Sequence, residues 1–473
     1  MLLINKPVNL QKKKVKGITT TLKRVWLEGK RLARHVQVGT PMEVKDTEQG
    51  IHVIFGSKDG TRTVSKRGSG ETQVPVIEIN EANSEFLKSV SEDTMLRIAI
   101  TDKGIRITPN QEVVENRIQE RETRTINKQK NGETMEIGSI FCGGGTFDFM
   151  GHKGFEKAGL STVIRLAIDN CQDAMENMAE NVSHVFDRKS ILIESDISLL
   201  KFNDNMPKLD ILKITPPCVD ASAAGKAKKG NKIETSKTAH LVYYYSQLLD
   251  KTNPSYVIME NVPEFQSEAS FLVFQGLLNQ WGYKTQIRII DAHKEKFALE
   301  TRKRMFLVAE SEGLAGTFDL EAVECLRTVP ATLGEVLDDV AEDDKSWSPK
   351  IGLIEKQERD IKAGKGFRMQ VFNELSKYIG TLRAQYQKSG SSDPLVAHPD
   401  ASKKLFRIVN KNEHARCKGI DEALVHNRTE GQAHKILGNG LVGTVAEAIC
   451  YNLAKAIKAI TVIDIQPKSA VAA

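Results

Sequence analysis

No CxxC pair occurs among the six cysteines (Cys142, Cys171, Cys218, Cys325, Cys417 and Cys450), which argues against both a disulfide framework and a zinc site. No stretch approaches the roughly 18 apolar residues that a membrane span needs. The start, MLLINKPVNLQKKK, has only a short apolar run before its lysines, too short for the core of a signal peptide. No internal repeat is visible. These absences lead to the expectation of a soluble, cytoplasmic protein in a reducing environment, without metal.

What is present is an ordinary globular composition, 40% apolar and 27% charged, over 473 residues, a length that calls for two or three domains. The net charge of +6 is unevenly placed: residues 1–130 carry 24 Lys+Arg against 16 Asp+Glu, or +8, leaving about −2 for the remainder. A basic front end suits a polyanionic partner, although solvated lysines alone would look the same.

Residues 1–20 are Lys-rich and aperiodic and read as a disordered arm. From Leu22 to Pro109 short alternating runs separated by glycines, such as Ile51–Phe55, Val74–Ile79 and Leu96–Ile100, predict a small β-rich domain. Residues 111–134, QEVVENRIQERETRTINKQKNGET, predict a charged linker or a solvated helix. From Glu136 apolar strand candidates alternate with helical stretches, which predicts an α/β fold with a mostly parallel sheet covered on both faces. That rhythm is lost over residues 311–406, and Gly443–Ile460 has the apolar spacing of a helix.

Five segments could carry chemistry. In SIFCGGGTFDFMGHKGFEKAG a strand runs through Gly143, Gly144 and Gly145 into a helix, so the backbone can approach a ligand at the sheet's carboxyl edge. A helix start there also suits an anion such as an amino-acid carboxylate; a tight turn that needs glycine explains the run equally well. LAID ends the next strand at Asp169, placed to accept from ribose hydroxyls or simply to cap a helix. In LKITPPCVDAS, Pro216 and Pro217 fix the backbone ahead of Cys218. A buried, inert cysteine is the bland alternative. The loop that follows holds Lys226, Lys228, Lys229 and Lys232, which could fold over a phosphate backbone. YVIMENVPEF delivers Glu260 from an apolar strand, which tends to raise a carboxyl pKa and suits a proton carrier, although a strand-end salt bridge is common. LETRKRMFLVAE puts Arg302 and Arg304 on one strand face or on an exposed basic edge.

Taken in order, these segments resemble the DNA cytosine-5 methyltransferase family over roughly residues 136–462. The resemblance implies a Rossmann-like S-adenosylmethionine-dependent methyltransferase fold acting on duplex DNA. FCGGG is similar to the cofactor loop, with Phe141 packing on the donor and Gly143 and Gly145 in the turn. Asp169 takes the place of the ribose acid, and Asp196 and Ile197 of ESDI that of the adenine pair. PPC supplies Pro217 and the nucleophile Cys218, ENV the catalytic Glu260, and TRKR the arginines near the target base. RIVNKNEHARCKGI resembles the segment supporting the recognition domain through Arg407, Glu413, Arg416 and Gly419, and LGNGLVGTVAEAI puts Asn439 near the donor's methionine end. Three departures stand out: Ser139 where the family usually has aspartate, and Val219 and Glu300 where it usually has glutamine.

The implied organisation is a basic β-rich accessory domain (1–110) that binds DNA or dimerises, a charged linker (111–134), a catalytic domain (135–310), a target-recognition domain (311–430) and a returning segment (431–465). WLEGKRLARHVQVGTPMEV, with the β segment after it, resembles the small barrels of AbrB-like and SymE-like proteins, many of which bind nucleic acid. The family resemblance also implies a bacterial, plasmid or phage origin and a role in restriction-modification. Two alternatives stay open: a transfer RNA cytosine methyltransferase on the same fold, and a catalytically degenerate DNA-binding regulator.

Overall fold

The computed structural model describes residues 1–15, 18–47, 50–90, 94–109, 112–217 and 238–460. The chain divides into two compact units, residues 1–117 and 118–463.

Among the described residues the first unit has ten strands, β1 (Leu2–Pro7), β2 (Asn9–Val15), β3 (Ile18–Glu28), β4 (Pro41–Thr47), β5 (Gly50–Phe55), β6 (Arg62–Thr63), β7 (Ser65–Arg67), β8 (Val74–Asn80), β9 (Met95–Thr101) and β10 (Gly104–Pro109), and two short helices, α1 (Lys30–Ala33) and α2 (Glu85–Ser89). The strands form one sheet of order β1-β9-β10-β5-β4-β6 and another of order β2-β3-β8-β7, with antiparallel pairing throughout. Alternation explains the pairing: Ile51 and Val53, Leu96 and Ile98, and Ile105 and Ile107 all point into one core.

Where a disordered arm was expected, Leu2–Pro7 and Asn9–Val15 are strands, and a third begins at Ile18. Leu2 and Ile4 pack on the core, and Lys6 fills the third inward position with its stem while its ammonium donates to the Trp26 carbonyl at 2.6 Å. A lysine in an inward position hides the alternation from a composition-based reading.

The break between the units falls within α3 (Glu112–Asn131), where a linker or solvated helix was expected. Its second part is not a solvated helix. Arg121 and Thr125 are fully buried; the Arg121 guanidinium donates to the Ser311 hydroxyl and to the Trp281 and Gly282 carbonyls, all at 2.8 Å, and lies 3.8 Å from the Tyr283 ring centre.

The second unit continues with β11 (Met135–Ile140), α4 (Thr146–Lys157), β12 (Thr162–Asp169), α5 (Gln172–Asn181), β13 (Ile191–Glu194), β14 (Ile211–Ile214), α6 (Leu241–Thr252), β15 (Tyr256–Asn261), α7 (Ala269–Gln280), β16 (Tyr283–Asp291) and β17 (Lys303–Ser311). The sheet order is β13-β12-β11-β14-β15-β17-β16. The first five are parallel, and β17 runs against both its neighbours. Near-continuous apolar strands such as YVIM fit a sheet buried on both faces, and two hydrophobic clusters cover it.

Beyond the sheet come α8 (Ile351–Lys362), β18 (Val371–Phe372), β19 (Leu395–Ala397), β20 (Phe406–Arg407), α9 (Lys411–Cys417), α10 (Glu430–Asn439) and α11 (Gly443–Lys458). The three short strands pair with one another over a small core that includes Leu333, Ile379, Leu382 and Tyr386. The last helix packs on α4, and so closely that a Cβ at Gly154 would lie 2.2 Å from the Glu447 carbonyl oxygen. Among the described residues no helix is long and apolar enough to cross a membrane, and no group of His, Cys, Asp or Glu could hold a metal.

Candidate active site

A cavity of about 520 Å³ opens at the carboxyl edge of the parallel strands. That volume lies in the range of small-molecule sites. Of the residues expected from sequence, Phe141, Gly143, Asp169, Asp196, Ile197, Pro217, Asn439, Glu260 and Arg304 line it. Gly145 and Arg302 are not on its wall. Cys218, Val219 and the lysines at 226, 228, 229 and 232 lie outside the described residues.

The glycine-rich turn follows from backbone angles. Phe141, Gly143 and Gly145 have φ of 57°, 54° and 83°, so the chain reverses sharply between β11 and α4. A Cβ at Gly145 would lie 2.4 Å from the Met178 sulfur, so this glycine allows packing beneath the turn. Gly143 has open space on its Cβ side. Its N–H donates to Asp169 Oδ2 at 2.8 Å, and the Cys171 N–H donates to Oδ1 at 2.9 Å, which fixes the carboxylate at the cavity wall with lone pairs to spare. Further along, the Asp196 carboxylate accepts from the Ser198 N–H at 2.8 Å, and that bond holds its pKa below the usual carboxylate range.

Glu260 is the penultimate residue of β15, and the Nε of Arg304, from β17, lies 2.9 Å from its Oε1. Burial pushes the Glu260 carboxyl above its ordinary pKa, with the positive charges of Arg304, Arg302 and Lys418 pulling the other way. Beside it, the Asn261 side-chain amide donates to the Pro216 carbonyl at 3.1 Å and ties the end of β15 to the double-proline segment.

Arg302 points elsewhere. Only 4% exposed, it donates from Nε to both Glu300 oxygens at 3.1 and 3.2 Å and from Nη2 to the Leu382 and Gly438 carbonyls at 2.8 and 3.2 Å. Glu300 also accepts from the Leu382 N–H at 2.8 Å, and Lys418 lies 3.8 Å away. Burial opposes ionisation of Glu300, yet Arg302 and Lys418 outweigh it and hold the carboxyl below its usual range. Where the resemblance leads one to expect glutamine, the chain thus carries a charge that its surroundings neutralise. Arg407 and Glu413 form a similar buried pair, at 2.7 and 2.8 Å.

Ser139 has an equally local explanation. Its hydroxyl donates to Asp148 Oδ2 at 2.9 Å, and the other oxygen of Asp148 pairs with the buried Lys213 ammonium. A carboxylate is therefore present beneath the turn, supplied from α4 rather than from β11.

Lys435 and Asp173 are among the wall residues that the sequence did not single out. Lys435 stands one helical turn before Asn439 on α10, and its ammonium reaches Asp173 Oδ2, in the first turn of α5, at 2.8 Å. The only sequence signal is the i, i+4 spacing from Asn439.

The profile of the C-5 cytosine-specific DNA methylase family matches residues 135–455. Among curated proteins the chain is similar to the Type II methyltransferase M1.ScrFI of Lactococcus lactis, 26% identical over 271 residues, which make up 56% of this chain and 66% of that protein. It is also similar to M.MthTI of Methanothermobacter thermautotrophicus, 25% identical over 361 residues, which make up 69% of this chain and 99% of that one. Among solved structures, the S. pombe Dnmt2 methyltransferase superposes with a TM-score of 0.52 at 16% identity, covering 68% of this chain and 98% of its own. That likeness is one of fold.

Proposed function

Because the chain belongs to the C-5 cytosine-specific DNA methylase family and is a DNA cytosine-5 methyltransferase, we propose that it methylates a cytosine flipped out of duplex DNA, with Cys218 as nucleophile and S-adenosylmethionine as donor. The observation that carries this is the pairing of the buried Glu260 with Arg304 on the wall of a cavity that also presents Asp169 and the glycine-rich turn.

The residues present fit the donor. Asp169 would accept from ribose hydroxyls, Asp196 and Ile197 would border the adenine, and Phe141 and Pro217 would pack on its faces. Asn439 and the Asp173–Lys435 dyad would frame the methionine end, the carboxylate meeting the α-ammonium and the lysine the α-carboxylate. Bound there, the donor supplies an electrophilic sulfonium methyl group.

Carbon 5 of cytosine is a poor nucleophile unaided. The thiolate of Cys218 adds to carbon 6, and Glu260, whose carboxyl burial pushes above its ordinary pKa, donates to N3, so electron density moves onto carbon 5. Carbon 5 takes the methyl group as the bond from that methyl to the sulfonium breaks, the carbon 5 proton leaves to solvent, the sulfur–carbon bond to Cys218 breaks, and N3 returns its proton to Glu260. A free thiol with a pKa of about 8.5 is only a few per cent ionised at neutral pH, so this cysteine needs positive charge or backbone dipoles near it. Arg304 orients the base through Glu260. No group in a folded cavity can reach a stacked base, so the nucleotide must be extruded first. Residues 311–430 would read sequence, and the lysines of 226–232 would close on the phosphate backbone.

Incubation with duplex DNA containing 5-fluorocytosine tests this. A covalent adduct is expected from the parent chain and none from Cys218→Ser. No adduct while donor still binds would instead favour a DNA-binding regulator, and methyl transfer to transfer RNA but not to duplex DNA would change the substrate.

A further inference from the structure

The outward face of the six-stranded sheet in the first unit carries a basic cluster that catalysis does not use. Cross-strand registers place Lys45, His52, Arg106, Ala99 and Leu3 in one row across β4, β5, β10, β9 and β1. The next row holds Arg97 between Thr108 and Asn5. Arg97, Arg106 and His52 are exposed. Their neighbours Ala99 and Thr108 are too short to cover them, so two guanidiniums stand exposed on adjacent strands.

Among the described residues no carboxylate pairs with Arg97 or Arg106. Glu43, on the same face, is held by Lys45 at 3.4 Å and by Ser57 at 3.0 Å, and Asp102, in the β9–β10 turn, is held by His35 at 2.6 Å. Elsewhere in the unit the basic groups Lys23, Arg24 and Arg67 are each matched by a glutamate. Like charges on neighbouring strands repel, and an anionic partner removes that cost. The excess is regional too: residues 1–110 carry 19 Lys+Arg against 12 Asp+Glu, whereas the remainder carries 48 against 49.

We infer that this sheet face binds the sugar-phosphate backbone of duplex DNA, with Arg97 and Arg106 each meeting a phosphate. A second copy of the chain is a poor occupant, because a two-fold interface would lay the same basic face against itself. Phosphate contacts carry no sequence information. The face therefore adds affinity and leaves choice of site to other residues. Only the identity of the polyanion is taken from the proposed function.

The test is a salt series of binding to a short duplex, read by fluorescence anisotropy on the full chain. Replacing two phosphate contacts in the double variant R97A/R106A should lower the slope of log affinity against log salt by about 1.8, at about 0.9 per phosphate. R97K/R106K should keep the slope, since lysine also neutralises a phosphate, and this variant controls for folding. An unchanged slope in R97A/R106A overturns the inference. So does dissociation of an oligomer, seen by sedimentation, with DNA binding unaltered. Methyl transfer at saturating DNA stays unchanged in both variants. A failure of the enzymatic reading would instead show as no transfer by the parent chain, whatever the salt slope.

Discussion

The Nε of Arg304 lies 2.9 Å from Oε1 of Glu260, joining the ends of two adjacent antiparallel strands at the cavity wall. The pairing sets the carboxyl between two demands, burial favouring the neutral acid and the guanidinium the anion, and burial prevails. Glu260→Gln cannot pass a proton to N3, so methyl transfer should fall by about 10²–10⁴-fold. Donor affinity should be kept, measured by calorimetry with S-adenosylhomocysteine. Because the folded pKa is raised, the acid form persists to higher pH than in a free glutamate and is lost as pH rises through the raised value. The parent rate should decline on that limb, once the opposing ionisation of Cys218 is separated by single-turnover measurements. A variant with parental turnover would remove Glu260 from the mechanism.

The two arginines of TRKR should separate experimentally. Arg302→Ala leaves the fully buried Glu300 without its main partner, which costs about 3–5 kcal/mol. Denaturant unfolding should show that loss. Arg304→Ala removes a partly exposed partner at the cavity and should cut turnover while leaving the unfolding midpoint near the parent's. Equal losses of stability in both would contradict the division of roles.

Much of the catalytic unit was legible because four of its strands announced themselves twice, by an apolar run and by a chemically distinctive residue at the carboxyl end: the glycines after Ile140, Asp169, Pro216 and Pro217, and Glu260. What stayed hidden depends on pairings that no periodicity encodes. Arg302 and Arg304 share an alternation that assigns them one face, yet Glu300, two residues earlier, draws the first into the interior. Helix α3 has no apolar stripe because it docks through Arg121, Glu122 and Thr125, whose hydrogen bonds reach residues more than 100 positions away. Lys6 concealed the first strand in the same manner, by using a charged residue where a hydrophobic one would have shown the pattern.

Lys435 and Asp173 should discriminate between ligands that share an adenosine but differ in the amino-acid end. Lys435→Ala should weaken S-adenosylhomocysteine by about tenfold, the worth of one charge-assisted hydrogen bond at a half-exposed site. It should leave 5′-methylthioadenosine, which lacks the zwitterion, bound as in the parent. Asp173→Asn should behave alike. Equal weakening of both ligands would mean that the dyad holds α5 against α10 and does not touch the donor.

Ser139 offers a sharper trial, because the residue usual in the family should be harmful here. Asp148 already occupies the space beneath the turn and is neutralised by the single ammonium of Lys213. Ser139→Asp would bring a second buried carboxylate to within hydrogen-bonding distance of the first. One of the two must then stay protonated or lose its partner, which costs roughly 3 kcal/mol. Thermal unfolding should show the drop, along with weaker donor binding as the turn above it loosens. The double variant S139D/D148N restores one carboxylate per lysine and should recover most of the stability. If S139D alone were as stable as the parent, the carboxylate from α4 would not be substituting for one on β11.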